Sequence, residues 1–320
     1  MERKKGKARW VALGLLILLT VSIGVIVLNP PKKYSIRGTD LIAPCGLLHA
    51  SDGTFYVADG GLNAVLRYEG ERTENVAGYT MPYENGEPAG GCLNAQAGLA
   101  LFDTPFDMEE WGGGIVVSDR ENNMLRIIKE GMVTTLAGQL QEGSLNGQCK
   151  NATFHHPCGL AVDDKGNLLI ADSGNGKVRL LSEDMCVHPL ISGLEEPTGL
   201  CWANGALYIA DRGTGLIWRW KDKKLEAIAG NSTSGYVEGP AREVAFNEPT
   251  AVLVQGDCIY IADTGNRAIR KLKDGKVSTH MVWEHDPQKP WPGRPTALEE
   301  YNGKIYAADG FAGIVFEVEK

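Results

Sequence analysis

One phrase, written six times, constrains this chain more than any other feature. An apolar run ends in Ala-Asp or Ser-Asp and then turns, at Tyr56-Val57-Ala58-Asp59, Val116-Val117-Ser118-Asp119, Leu169-Ile170-Ala171-Asp172, Tyr208-Ile209-Ala210-Asp211, Tyr260-Ile261-Ala262-Asp263 and Tyr306-Ala307-Ala308-Asp309. A unit recurring at roughly 40 to 60 residues across almost the whole sequence is the signature of a repeat architecture. The 320 residues could hold one large β domain or two average ones, and the uninterrupted repeats favour one.

The third copy shows the unit best. It predicts strands at 159–163, 167–171 and 177–182, turns at Asp164–Gly166 and Asp172–Gly176, and an outer strand near 186–191. Turn residues every 8 to 12 positions between β-branched runs mark an antiparallel meander. The copies open at Pro44, Pro105, Pro157, Pro197, Pro249 and Pro295. An Arg recurs on the third strand at Arg67, Arg126, Arg179, Arg219 and Arg270, with Glu317 in its place in the last copy. Copies one, four and six read as carrying an extra residue after the Asp. A single meander has two apolar faces and cannot bury both, whereas six packed radially bury them against one another. The expected fold is therefore all-β: a six-bladed β-propeller of four-stranded antiparallel blades. The last copy stops at its third strand, so Tyr34-Ser35-Ile36-Arg37 is expected to supply its fourth and close the ring.

The N-terminus does not fit that globule. Residues 1–9 form a basic tail, 10–28 an uncharged, mainly apolar run, and 29–33 a linker before the propeller at 34–320. Nineteen residues from Trp10 to Leu28 make about 28 Å of helix, enough to cross a bilayer core. The run is longer than a signal-peptide core and lacks a small-x-small exit. An uncleaved transmembrane signal-anchor is expected, with residues 10–28 in the membrane. Five basic residues before the span, against Lys32 and Lys33 after it, put the N-terminus in the cytoplasm and the propeller outside.

Residues 1–33 hold seven basic and one acidic side chain, so the chain's net charge of −8 becomes −14 over residues 34–320. With no basic stripe and no basic–aromatic interleaving, nucleic acid is not an expected partner. Of seven cysteines none forms a CxxC pair, and an odd number leaves at least one thiol unpaired within the monomer. Cys92 and Cys149 occupy equivalent loop places, which allows a disulfide between them.

Chemistry has few places to sit. Three long connections, Gly78–Pro105, Gly138–Pro157 and Gly230–Pro249, each carry a Phe three residues before the Pro: Phe102, Phe154 and Phe246. They are expected to cover one end of the propeller, together with a fourth loop, Trp283–Pro295, that holds His285 and Trp291. Variable loops on a rigid scaffold are the usual binding surface, and the Phe column reads as packing. Asp59, Asp119, Asp172, Asp211, Asp263 and Asp309 read as turn caps that accept backbone N–H groups rather than as a catalytic ring. Asp107, Glu109 and Glu299 depart from the small residues at their positions on innermost strands. They are the candidate ligand-binding carboxylates, able to hold a divalent cation in the central channel if they converge. No other cofactor is expected. His49 stands alone, and the neighbours His155 and His156 make no ready metal pair.

Gly159-Leu160-Ala161-Val162-Asp163 with Ile170-Ala171-Asp172-Ser173-Gly174-Asn175, and Ile261-Ala262-Asp263-Thr264-Gly265-Asn266-Arg267-Ala268-Ile269-Arg270, resemble the NHL-repeat β-propellers over about residues 34 to 320. Together with the anchor, the rigid repeat scaffold and the elaborated loops at one end, this leads to the expectation of a membrane-tethered propeller that binds a protein, peptide or glycan through its loop-rich face. The resemblance also implies an alternative, a metal-dependent propeller enzyme resembling gluconolactonase-type lactonases or the peptidyl-hydroxyglycine amidating lyase. The former use Glu, Asn and Asp around a cation, the latter three His around zinc, and neither set maps onto this sequence. A scaffold rather than an enzyme is the expectation.

Overall fold

The computed structural model describes residues 35–37, 41–69, 72–80, 90–282 and 293–318. Met1–Tyr34 and Ser35–Lys320 separate into two units, and every described residue belongs to the second. The expected cytoplasmic tail at 1–9, the expected span at 10–28 and the expected linker at 29–33 lie outside the described residues, as do His285 and Trp291. Among the described residues no helix is long and apolar enough to cross a membrane.

Six antiparallel sheets follow one another along the chain. Their innermost strands are Pro44–His49, Pro105–Trp111, Pro157–Val162, Pro197–Ala203, Pro249–Gln255 and Pro295–Tyr301. The second strands end on the six repeated Asp residues, and blade three has its strands at Pro157–Val162, Leu168–Asp172, Lys177–Leu181 and Cys186–Ser192, close to the expected bounds. In every inner strand the register slips just after the Pro. That slip sets each Asp opposite the Pro that opens its blade.

Apolar cores lie between neighbouring blades, as radial packing requires. One joins Leu48, Val65 and Phe102 to Met108, Val117 and Ile128 across blades one and two. Another joins Leu125 and Val116 to Leu160, Ile170 and Val187 across blades two and three. The sixth joins Leu47, Phe55, Val57 and Leu66 of blade one to Ala297, Ala308 and Val315 of blade six, and closes the ring.

Closure corrects the expected strand exchange. Ser35–Arg37 pairs with Arg72–Ala77, the outer strand of blade one, and not with blade six. It repeats what the segments ahead of three other blades do. Ala95–Gln96 pairs with the outer strand of blade two, Gly147–Gln148 with that of blade three, and Gly239–Pro240 with that of blade five. Among the described residues, blades one, two, three and five are thus five-stranded, blade four has four strands and blade six three. The ring is held by side chains instead: Thr296 Oγ1 donates to the Pro44 carbonyl at 2.7 Å, and Phe55 lies 5.5 Å from Tyr306 ring to ring.

The turn after the Asp is also of one length. Asp59 pairs with Ala64, Asp119 with Met124, Asp172 with Lys177, Asp211 with Leu216, Asp263 with Ala268 and Asp309 with Ile314, so no blade carries an extra residue. What varies is the Arg. It stands seven residues after the Asp in blades two, three and five, and eight after it in blades one and four. One residue along a strand is the opposite face.

Candidate functional site

Each repeated Asp is buried and binds the chain just ahead of its own blade. Asp59 accepts the N–H groups of Ile42, Ala43, Gly61 and Leu62. Asp309 accepts those of Arg294, Phe311 and Ala312. Asp119, Asp172 and Asp263 accept from Asp103, His155 and Asn247, and Asp211 from Glu195 and Glu196. These carboxylates tie the incoming loop to the turn, so their chemistry is spent on architecture.

In blades two, three and five the Arg completes a larger module. Arg126, Arg179 and Arg270 are buried and reach Asp119, Asp172 and Asp263 at 2.7, 2.7 and 2.9 Å. Each guanidinium also stacks 5.3 to 5.5 Å over the buried Phe of the preceding loop, Phe102, Phe154 or Phe246. Its Nη2 donates to a loop carbonyl: Leu93, Leu145 or Val237. The three long connections are therefore clamped along the outer edge of the following blade, not draped freely over one end. In blades one and four the Arg faces the other way and pairs with Glu74 or Glu226 across the strand. There Trp218 takes the inward position in blade four and donates to Asp211 at 3.3 Å.

The residues whose carbonyls are clamped were missed in the sequence, although each stands nine positions before its Phe. Their side chains point outward. Leu93 and Leu99, Leu140 and Leu145, and Tyr236 and Val237 are 45 to 63 % exposed, two large apolar groups on each long connection.

Asp107, Glu109 and Glu299 do come together. With His49 they line a cavity of about 170 Å³ enclosed by inner strands, and no Lys or Arg is among its lining residues. Asp107 Oδ2 accepts the Leu160 N–H of blade three at 2.9 Å, so this carboxyl bridges two inner strands. Its other oxygen sits where a side chain on Gly46 would need to be, 3.0 Å from a Cβ built there. The nearer contacts of that Cβ are backbone, the Phe106 carbonyl at 2.5 Å and Asp107 Cα at 2.8 Å, and Gly159 and Gly199 meet the next inner strand the same way, so Gly46 answers the close packing of inner strands. Burial pushes the Asp107 carboxyl up to about 7. Burial and then the Asp107 charge push Glu109 up to about 8. Glu299 is raised well above the carboxylate range by burial, then by Glu109 and Asp107, while the backbone N–H of His49 works the other way. The charge of Glu299 and Glu109 also reaches the partly buried thiol of Cys201, which desolvation pushes up to about 11. Asp107 thus bears on Glu109 and both bear on Glu299, yet the ligand atoms of the three do not all fall within 4.8 Å.

Cys92 and Cys149 are not joined: Cys92 Sγ lies 3.6 Å from Met124 Sδ, and Cys149 is a buried free thiol in the core between blades two and three. His155 and His156 turn to separate partners, Glu142 at 3.1 Å and Glu121 at 3.4 Å.

Comparison places this architecture among known proteins. No family model matches the chain. It is 25 % identical over 230 residues to human NHL repeat-containing protein 2, covering 68 % of this chain and 25 % of that protein. It is 23 % identical over 280 residues to Protein SUPPRESSOR OF QUENCHING 1, chloroplastic, of Arabidopsis thaliana, covering 75 % and 26 %. The chain thus spans about a quarter of the length of these curated relatives. Among solved structures, an auxiliary nutrient binding protein from Bacteroides thetaiotaomicron superposes with a TM-score of 0.61 at 14 % identity, covering 87 % of this chain and 69 % of that one. A streptogramin B lyase gives 0.56 at 13 %, covering 89 % and 86 %. The fold they share is the β-propeller, here of six blades. Within that class the repeats and the weak similarity to the curated relatives support an NHL-repeat propeller.

Proposed function

We propose that the chain is a membrane-anchored, extracytoplasmic binding propeller that takes a protein or peptide partner on the surface of its long connections. The observation that carries this reading is the pair of exposed apolar side chains on each of the three connections, held by buried Asp–Arg–Phe modules. Apolar groups on a rigid backbone lose little entropy on binding and suit a protein surface better than the hydroxyl-rich face of a glycan. The anchor rests on residues 10–28 and the basic tail before them, which hold 34–320 beyond the bilayer.

The test is capture by the full-length chain in its own membranes, beside a variant carrying Leu93→Asp, Leu145→Asp and Val237→Asp. A partner retained by the first and lost by the second, with unchanged circular dichroism, supports the reading. Equal capture by both removes it. Protease treatment of intact cells tests the anchor: residues 34–320 are shed if they lie outside and spared if they do not.

A second reading rests on the channel. Three carboxyls raised first by burial, Glu109 then by Asp107 and Glu299 then by both, in a cavity lined by no Lys or Arg, are a site that a cation relieves. A divalent cation there supports a metal-dependent propeller enzyme, lactonase-like or amidating-lyase-like. Stoichiometric calcium or zinc with metal-dependent lactone or peptidyl-hydroxyglycine turnover favours it over the scaffold, since fold alone does not choose.

A further inference from the structure

Away from the channel, the hairpin that leads into the outer strand of blade three gathers three different metal-ligating side chains. Cys186 and His188, two apart on the outer strand, share one strand face, and Asp184 stands in the hairpin turn just before them. One carboxylate oxygen, the Cys186 sulfur and one imidazole nitrogen all lie within 4.8 Å of one another. Among the described residues no other set of three His, Cys, Asp or Glu side chains meets that limit.

The geometry around them is organised. Asp184 Oδ1 is occupied by its own turn, accepting from the Cys186 N–H at 3.0 Å and from Ser182 Oγ. Its other oxygen, Oδ2, faces His188 Nε2 at 3.8 Å. Met185, between Asp184 and Cys186, takes a left-handed φ of +60° in that turn, its N–H donating to the Ser182 carbonyl at 3.0 Å. Gln148, on the short added strand beside this one, donates from Nε2 to Cys186 Sγ at 2.8 Å. An N–H donor on the sulfur is the outer-shell contact that steadies a thiolate ligand.

We propose that Asp184, Cys186 and His188 form a site for a zinc-class divalent ion on the rim of blade three. One sulfur, one nitrogen and one oxygen suit a borderline ion in tetrahedral coordination, and a fourth position faces solvent for water or an incoming ligand. Magnesium and calcium, which ask for six or more oxygens, are poorly served by a single carboxylate oxygen. On binding, the Cys186 S–H bond breaks, the sulfur–metal bond forms and the proton passes to solvent, so affinity rises with pH.

Cobalt(II) titration of the reduced full-length chain in detergent tests this, with zinc as competitor. The expected result is one cobalt per chain with a thiolate-to-cobalt charge-transfer band, displaced by zinc. The band is lost in Cys186→Ser, and affinity falls by about tenfold or more in Asp184→Asn and in His188→Gln, with unchanged circular dichroism. No charge-transfer band in the parent chain, or a band that survives Cys186→Ser, overturns the proposal. So does unchanged affinity in both the Asp184 and His188 variants.

Discussion

Arg179 Nη1 lies 2.7 Å from Asp172 Oδ2 with both side chains almost wholly buried, and its remaining donors are satisfied by Leu145, Asn146 and Thr153. Removing one partner of such a pair leaves a buried charge without its counterpart, which costs about 3–5 kcal/mol. Arg179→Met is expected to destabilise by that amount. Arg219, eight residues after its Asp and half-exposed, pairs with Glu226 at the surface, so Arg219→Met costs about 0–1 kcal/mol. Urea denaturation of the two variants checks the difference. Equal losses contradict the split of the Arg column into two faces.

The glycine that opens each long connection is required by its backbone. Gly138 has φ +94°, and a Cβ there meets the Asn123 carbonyl at 2.6 Å. Gly138→Ala is expected to cost of order 1–3 kcal/mol in the same assay. Gly131, with φ +74° but nothing within 4 Å of its Cβ, falls at the low end of that range. A neutral Gly138→Ala contradicts the close approach.

Ring closure by side chains predicts that the strand Ser35–Arg37 is dispensable. A chain starting at Thr39 keeps a single cooperative thermal transition. Phe55→Ala, which opens the core between blades six and one, costs about 3–5 kcal/mol. Loss of cooperative folding on removing 35–37 contradicts this closure.

The channel carboxyls give stability an unusual slope with pH. Asp107 at about 7 and Glu109 at about 8 hold protons in the folded state that the unfolded chain releases near pH 4. The folded state therefore binds more protons between these values, and their contribution is fully present below about pH 4 and lost as pH rises through 7 to 8. Glu109→Gln and Glu299→Gln are expected to flatten the fall in melting temperature between pH 6 and 8 and to raise stability at pH 8. A melting temperature that rises over that interval contradicts the site's electrostatics.

Much of this was legible in the residues. The Asp at the end of each second strand and the Pro at the start of each first announced six blades, because turn chemistry and alternation are local. The Phe column was legible too, but its meaning was not. Phe102, Phe154 and Phe246 precede the three blades whose Arg stands seven residues after the Asp, and the face that Arg takes depends on strand register, which aligned Arg columns hide. Closure misled for a related reason: Ser35–Arg37 reads as a strand, but which edge it joins is a tertiary choice. The convergence of Asp107, Glu109 and Glu299 depends on ring geometry, since residues nearly 200 positions apart meet only when blade six returns to blade one.

The scaffold reading is tested most directly by photo-crosslinking in intact cells. Photoreactive residues are placed in the full-length chain at Leu93, Leu145 and Val237, with exposed Lys165 and Lys223 on other hairpins as comparison sites. A partner on the long connections yields the same discrete crosslinked species from the first three positions and none from the last two. No species from the first three, or the same species from all five, contradicts the account.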